Sequence, residues 1–396
     1  MPAEAYKTPG IVIATSIAPN NIGAQQAAVA SWTDLGFRVV SLNIAEEIPR
    51  LAGHFPDVMF IRAARSAEYL AGRPLVFINE LIDYLKGCGS KICGIVNSDI
   101  HFRADQGFAA FLMEQARDSL VFGARVDVDA LDSAKGEFYV YGFDYFFFDI
   151  SVLDCYPSED FCIGAPWWDY WMLSTPILQG KLLKELVSPI AFHVKHEFNY
   201  SPDHWYGFAK KLLKHVNKEL YDAIAPLQAA NEHPLYSAIN YVGSAGLKFI
   251  IEHSSKIKYE KPGINLSMEN FKCREHYKTV AFPYYDGKDQ AEEAKGNGDD
   301  NETGPAAGDL LKRKSYYKNA CKLFLDICKE DWDSIILSFN ETAKYDQAEK
   351  LFFIRCMGYL ISKKDYTTAM RLLERYPEKD EIGIQLRNAL MTVISN

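Results

Sequence analysis

The sequence predicts an α/β protein: a sheet domain with flanking helices, followed by a C-terminal all-helical appendage. Over the first two hundred residues, short apolar runs alternate with amphipathic segments, the pattern of strand–helix units. Most of those apolar runs are continuous rather than alternating, as strands read when both faces are covered. Beyond residue 310 the apolar residues recur at i, i+3 and i+4.

Strands are predicted at 10–17 (GIVIATSI), 37–43 (FRVVSLN), 58–62 (VMFIR), 74–78 (PLVFI), 91–99 (KICGIVNSD), 120–128 (LVFGARVDV), 143–150 (FDYFFFDI) and 189–194 (PIAFHV). Between the first two, residues 20–36 place Ile22, Ala28, Val29, Trp32 and Leu35 near helical spacing, with Asn20 or Asn21 as N-cap and Gly36 as terminator. The chain therefore opens as a βαβ unit. Further helices are expected at 79–87, 105–118 and 203–224. In the tail, YDQAEKLFFIRCMGYLIS and DYTTAMRLLERYPEK carry helical periodicity and a proline stop, and DYTTAMRLLERYPEK resembles one helix of a tetratricopeptide-type hairpin.

At 396 residues the chain is long for one core, so more than one unit is expected. A catalytic domain is assigned to 1–225 and a helical extension, of uncertain attachment, to 226–283. Residues 284–309 are read as a flexible acidic linker, with seven acids against two lysines between 286 and 302. The helical, tetratricopeptide-like domain occupies 310–396. A net charge of −9 with no long basic run argues against nucleic-acid binding and allows at most peripheral membrane contact. Eight scattered cysteines and an N-terminus without an apolar leader pattern lead us to expect reduced thiols and a cytoplasmic location. Cys88 and Cys93 lie close together, but no second pair completes a zinc-ribbon spacing, so they read as core thiols.

Three polar clusters interrupt the apolar pattern. Asn97-Ser98-Asp99 follows a buried strand, where open α/β sheets bind ligands at their carboxyl edge; the same triplet is also ordinary turn chemistry. Residues 163–173 (IGAPWWDYWML) set Asp169 among Trp167, Trp168 and Trp171. The tryptophans read equally as a stacking wall for a sugar or as core, but an acid among aromatics is costly unless paired or used. SPIAFHVKHEF (188–198) ends a strand with His193 and His196. On a strand the two would face opposite sides, and His196 is favoured as a ligand because it falls at the strand's exit.

The order of these pieces resembles the GT-A-fold, nucleotide-sugar-dependent glycosyltransferases over about residues 8–210. IVIATSIAPNN and QQAAVASWTDLGFRVVSLNIAEE resemble the family's first strand, helix and second strand. VNSDI matches its DxD motif with Asn97 in place of the first acid, WWDYW resembles its general-base region, and FHVKH stands where its C-terminal metal histidine falls. The resemblance implies a GT-A-like, Rossmann-type mixed sheet. It implies Asp99 with His196 or His193 as ligands of Mn²⁺ or Mg²⁺, and Asp169 as catalytic base. Thr15, Ser16, Asn43, Asn97 and Ser98 would touch the nucleotide-sugar, and Asp144, Trp167 and Trp168 the acceptor or sugar.

The activity implied is an inverting, metal-assisted transfer of a sugar from a nucleotide-sugar donor to a glycan or lipid-linked glycan, in surface polysaccharide or glycoconjugate synthesis. Protein partners would dock on the C-terminal helices. Two other functions remain open. A sugar-phosphate nucleotidylyltransferase shares the nucleotide fold but needs a Gly-rich, basic phosphate loop, whereas TSIAPNNIGAQQ holds one glycine and no Lys or Arg. A catalytically inactive carbohydrate- or protein-binding scaffold fits the imperfect DxD.

Overall fold

The structure is a computed structural model. It describes residues 10–133, 135–196, 201–216, 246–247, 250–251, 253–260, 271–273, 366–367 and 369–370, with backbone alone at 140, 202 and 271–273. The predicted acidic linker and nearly all of the predicted helical tail lie outside the described residues, as does the predicted helix at 203–224 beyond Val216.

In chain order the elements are β1 (Val12–Thr15), α1 (Ile22–Asp34), β2 (Arg38–Asn43), α2 (Ile48–Leu51), β3 (Val58–Arg62), α3 (Glu68–Ala71), α4 (Ile78–Gly87), β4 (Ile92–Val96), β5 (His101–Phe102) and α5 (Gly107–Gln115). There follow β6 (Ser119–Val128), β7 (Gly136–Asp149), a 3-10 turn at Ile150–Cys155, α6 (Trp168–Leu178), β8 (Leu182–Leu186), β9 (Ala191–Val194), α7 (Pro202–Val216), β10 (Ser254–Ile257) and β11 (Phe271–Cys273). The chain divides into two compact units. One holds residues up to Phe208 together with β10 and β11; the other takes in α7 from Ala209 onward. No described helix is long and apolar enough to cross a membrane.

The first unit is an α/β mixed sheet with flanking helices, the class the sequence predicts. Among the described residues its strands run β10-β8-β6-β7-β4-β1-β2-β3, with β9 on β6, β5 on β9 and β11 on β7. The β3-β2-β1-β4 half is parallel, whereas β7 is antiparallel to both β4 and β6. Ile13 of β1 joins the core beneath α1 and α5 with Trp32, Phe108 and Phe147, while its neighbours Val12 and Ala14 are equally buried. Both faces of β1 are therefore covered, which is why its sequence reads as unbroken apolar residues.

One strand expectation is corrected. Residues 74–78 form no strand: Val76 and Phe77 are fully buried, but the segment makes a single bridge, Phe77 with Cys162, before α4 begins. Its apolar run fills an interior loop whose backbone is satisfied by residues 161–163, through Ile78 N–H to Phe161 O and Ile163 N–H to Val76 O. Asn21 occupies the N-cap position of α1 but in the left-handed conformation and with no side-chain cap bond. Strand β8 (LLKEL), with two charged residues in five, is not among the predicted strands. From the 226–283 stretch, β10 and β11 join the sheet, and Gly246, Leu247, Ile250 and Ile251 are helical.

β6 carries a register irregularity against β7 between Phe122 and Arg125. A Cβ on Gly123 would stand 2.1 Å from the Tyr145 hydroxyl and 2.5 Å from the Leu186 carbonyl oxygen. One of these obstacles is backbone, so it cannot swing aside. Gly123→Ala is expected to lower stability by about 1–3 kcal/mol in urea unfolding; a neutral result would mean that the sheet relaxes at this point.

Candidate functional site

The turn after β4 is both a turn and a presenter of side chains. Asn97 N–H donates to Asp144 O (2.9 Å), and Ile100 N–H donates back to Asn97 O (3.2 Å). Ile100 is fully buried and its carbonyl accepts from the Trp32 indole N–H at 2.7 Å. Directly afterwards β5 pairs antiparallel with β9, His101 facing Phe192, and β9 runs parallel to β6 with His193 opposite Asp127. Strand pairing thus delivers the end of β9 beside Asp99.

There Asp99, His193 and His196 each offer a ligand atom, all within 4.8 Å of one another. His196 Nε2 lies 3.3 Å and His193 Nε2 3.6 Å from Asp99 Oδ2. The expectation that the two histidines face apart fails because β9 ends at Val194, and the chain then turns His196 back beside His193, rings 4.8 Å apart.

Two imidazoles and a carboxylate form a three-ligand set of the kind that binds a divalent transition ion and leaves positions for substrate. A second feature fits that use. His193 Nδ1 donates to Asp127 Oδ1 at 3.0 Å, which fixes the ring's orientation and aims Nε2 at the cluster. Burial opposes charge on His193, but its hydrogen bonds with Asp127 and Asp99 outweigh it and raise its pKa to about 9. Burial likewise opposes ionisation of Asp99, yet the two histidines and the Arg125 charge hold it well below the usual carboxylate range.

Behind the cluster lies a buried charge network that the sequence pattern did not reveal. Arg125 Nε bonds Asp127 Oδ1 at 2.7 Å and Nη1 bonds Asp144 Oδ2 at 2.6 Å, and its guanidinium lies 4.3 Å from the centre of the Tyr139 ring. Asn97 donates its side-chain N–H to the other oxygen of Asp144. Asp144 is therefore the acceptor that ties the turn after β4 to Arg125, and Asn97 is its donor. A signal for this network was present: Arg125 and Asp127 are two charges at i and i+2 in an otherwise apolar strand, which puts both on one face.

Asp169 sits in the first turn of α6, buried, with Oδ2 accepting from the Phe143 N–H at 3.0 Å. Burial raises its pKa to about 7; the Phe143 bond works against that rise and the nearby Asp144 charge adds to it. Helix α6 enters through Trp167 at φ +69°, a left-handed conformation costing on the order of 1–3 kcal/mol for a bulky residue. That geometry is held by the Trp167 indole N–H donating to Trp205 O (3.1 Å) and by ring contacts with Tyr170 and Trp205.

The remaining candidates are placed as follows. Trp168 is buried against Phe146, ring centres 5.2 Å apart, and Trp167 is buried as described. Asn43 is fully buried, its side chain donating to Ile17 O and Glu47 Oε2 (both 2.8 Å) and accepting from Ser41 Oγ at 2.6 Å. It braces the segment after β1. Thr15 is fully buried and its hydroxyl has no partner among the described residues, and Ser16 is half-buried. Ser98 Oγ donates to Gln25 Oε1 at 2.7 Å, linking the turn to α1. The structure brings Asp99, His193 and His196 together directly, and joins Asn97 and Asp144 to them through Arg125 and Asp127.

No family model matches the chain, and no curated protein matches it. Among solved structures, S. aureus TarS is similar with a TM-score of 0.37 and 11% identity, covering 61% of this chain and 50% of that one. HddC from Yersinia pseudotuberculosis complexed with GMP-PN gives a TM-score of 0.29 at 11% identity, covering 50% of this chain and 96% of that one. The 4-diphosphocytidyl-2C-methyl-D-erythritolsynthase from Anaerococcus prevotii DSM 20548 gives 0.31 at 10% identity, covering 49% and 93%. The chain spans half the length of TarS.

Proposed function

We propose that this protein is a glycosyltransferase that moves a sugar from a nucleotide-sugar donor to a hydroxyl of a glycan or lipid-linked glycan, with inversion. The observation that carries the reading is the pairing of two features through Asp144, by hydrogen bonds on one side and by charge alone on the other. At one end is a two-histidine, one-carboxylate cluster at strand termini; at the other is a buried carboxyl, Asp169, whose pKa is about 7. Asp144 links them, bonded to Arg125 and Asn97 and close enough to Asp169 to shift its ionisation.

Asp99, His193 and His196 would hold the cation, and two imidazoles against one carboxylate favour Mn²⁺ or another transition ion over oxygen-seeking Mg²⁺. Bound there, a divalent cation supplies positive charge against the diphosphate that leaves the anomeric carbon. Asp169, ionised near neutrality, takes the proton from the acceptor hydroxyl as its oxygen attacks. Arg125 bonds both Asp127 and Asp144 in a buried setting, and those bonds keep His193 and the turn after β4 aligned. Thr15 Oγ1 and the half-buried Ser16, at the carboxyl end of β1, are the donors nearest in chain position to a base or ribose site.

The test is a thermal-shift screen of nucleoside diphosphates and nucleotide-sugars with and without Mn²⁺. A rise in melting temperature that requires both nucleotide and Mn²⁺ is expected, followed by release of a nucleoside diphosphate when a competent acceptor is supplied. No shift with any nucleotide would sink the proposal. Release of pyrophosphate from a nucleoside triphosphate and a sugar phosphate would replace it with nucleotidyl transfer.

A further inference from the structure

At the end of β4 remote from Asn97, two free thiols face each other. Cys88 is the C-cap of α4 and is partly exposed; Cys93 is the second residue of β4 and is fully buried. Their sulfurs are 3.6 Å apart. The intervening turn is built to hold them there. Gly89 takes φ +77°, a value glycine adopts without strain, and buried Ser90 donates to Gly10 O at 2.9 Å while accepting from Arg38 Nη2 at 2.9 Å. Cys93 Sγ also lies 3.7 Å from Ser90 O. The gap must shrink by only about 1.6 Å to reach the ~2.0 Å of a disulfide bond.

We propose that Cys88 and Cys93 are a reversible dithiol switch that closes by exchange with a low-molecular-weight disulfide such as glutathione disulfide. The environments divide the roles. Cys88 is the thiol that solvent reaches, and its contact with Cys93 and the Arg38 charge pull its pKa down to about 6 despite partial burial. Cys93 is shielded, and its contact with Cys88 and its burial push it far above the ordinary thiol value. Cys88 is thus the attacking thiolate and Cys93 the resolving thiol.

In the first step the Cys88 thiolate attacks one sulfur of the small disulfide. That S–S bond breaks, a mixed disulfide forms on Cys88, and one glutathione thiolate leaves. In the second, Cys93 gives its proton to solvent and its sulfur attacks the Cys88 sulfur, expelling the second glutathione thiolate. The two cysteines lose two electrons and two protons, and the small disulfide gains them as two thiols. The closed form clips the end of α4 to the start of the strand whose other end carries the Asn97–Asp99 turn.

Trypsin reads the bond directly, because Lys86, Lys91 and Arg103 place Cys88 in peptide 87–91 and Cys93 in peptide 92–103. The full native chain is incubated with glutathione disulfide, alkylated, digested without reductant and weighed. The expected result is one species joining the two peptides, which separates after dithiothreitol. In Cys93→Ser the glutathione adduct should persist on Cys88, and in Cys88→Ser residue 93 should stay unmodified. In the untreated protein at pH 7, Cys88 should react with iodoacetamide at least about tenfold faster than Cys155, whose burial pushes its thiol up to about 12. The proposal is overturned if the wild-type chain keeps peptides 87–91 and 92–103 separate after prolonged exposure, if Cys88 retains glutathione with Cys93 present, or if Cys88 joins another cysteine instead.

Discussion

Asp169→Asn should lower turnover by about 10²–10⁴-fold and, at pH 8, raise the melting temperature. Both effects come from one carboxyl. In the folded chain its pKa stands at about 7 against an ordinary 3.8, chiefly because it is buried. A group raised in this way binds its proton more tightly when folded. It therefore penalises the folded state as pH climbs from about 4 to 7, and in full above 7. The linkage cost there is on the order of 4 kcal/mol. Asparagine keeps an oxygen for the Phe143 N–H and carries no charge, so a gain of a few degrees is expected at pH 8, fading as the pH approaches 4. Activity moves oppositely, because a base works only when ionised: wild-type turnover should rise with pH through about 7 and the variant should show no such rise. A variant that keeps its turnover removes Asp169 from catalysis. One that melts lower at pH 8 contradicts the burial cost itself.

Asp99→Ala and His193→Ala should each abolish the Mn²⁺-dependent shift in melting temperature with nucleotide, while Asp127→Asn should weaken Mn²⁺ binding by about 10–100-fold without abolishing it. The grading follows from position. Asp99 and His193 would give their atoms to the ion; Asp127 touches only Nδ1 of His193, 3.0 Å away, and its amide replacement still offers an oxygen to that nitrogen. Calorimetric titration of each variant with Mn²⁺ measures the series. Equal loss in all three would make Asp127 a structural support of the whole sheet edge, and full retention in Asp99→Ala would place the ion elsewhere.

The parts of this fold legible in sequence were those where burial on both faces leaves a nearly continuous apolar run, as in β1 and β4. Where composition and location part company, the pattern misleads. Val76 and Phe77 are as apolar as any strand yet line an interior loop, because a neighbouring loop satisfies their backbone. LLKEL of β8 carries Lys184 and Glu185 and so lacks a strand's apolar signature, although Glu185 is buried and paired with Lys256. Polar residues at a strand's end or among aromatics stand out, which is why Asp99, the histidine pair and Asp169 are visible as candidates. Arg125 and Asp127 are not: inside an apolar run their charges pass as incidental, and only strand register shows that Asp127 faces His193.

Register also decides when in the life of the chain such a centre can exist. Asp99 meets His196 across 97 residues of sequence, and Asp127 meets His193 across 66. Each encounter requires β9 to have docked between β5 and β6, and pairing between segments so far apart carries a large loop-closure cost before any contact repays it. A nascent chain that has formed only its β1–β4 half holds Asp99 alone. Cation capture at this cluster would thus belong to the finished sheet: bound ion would slow the unfolding of the mature protein far more than it hastens its folding.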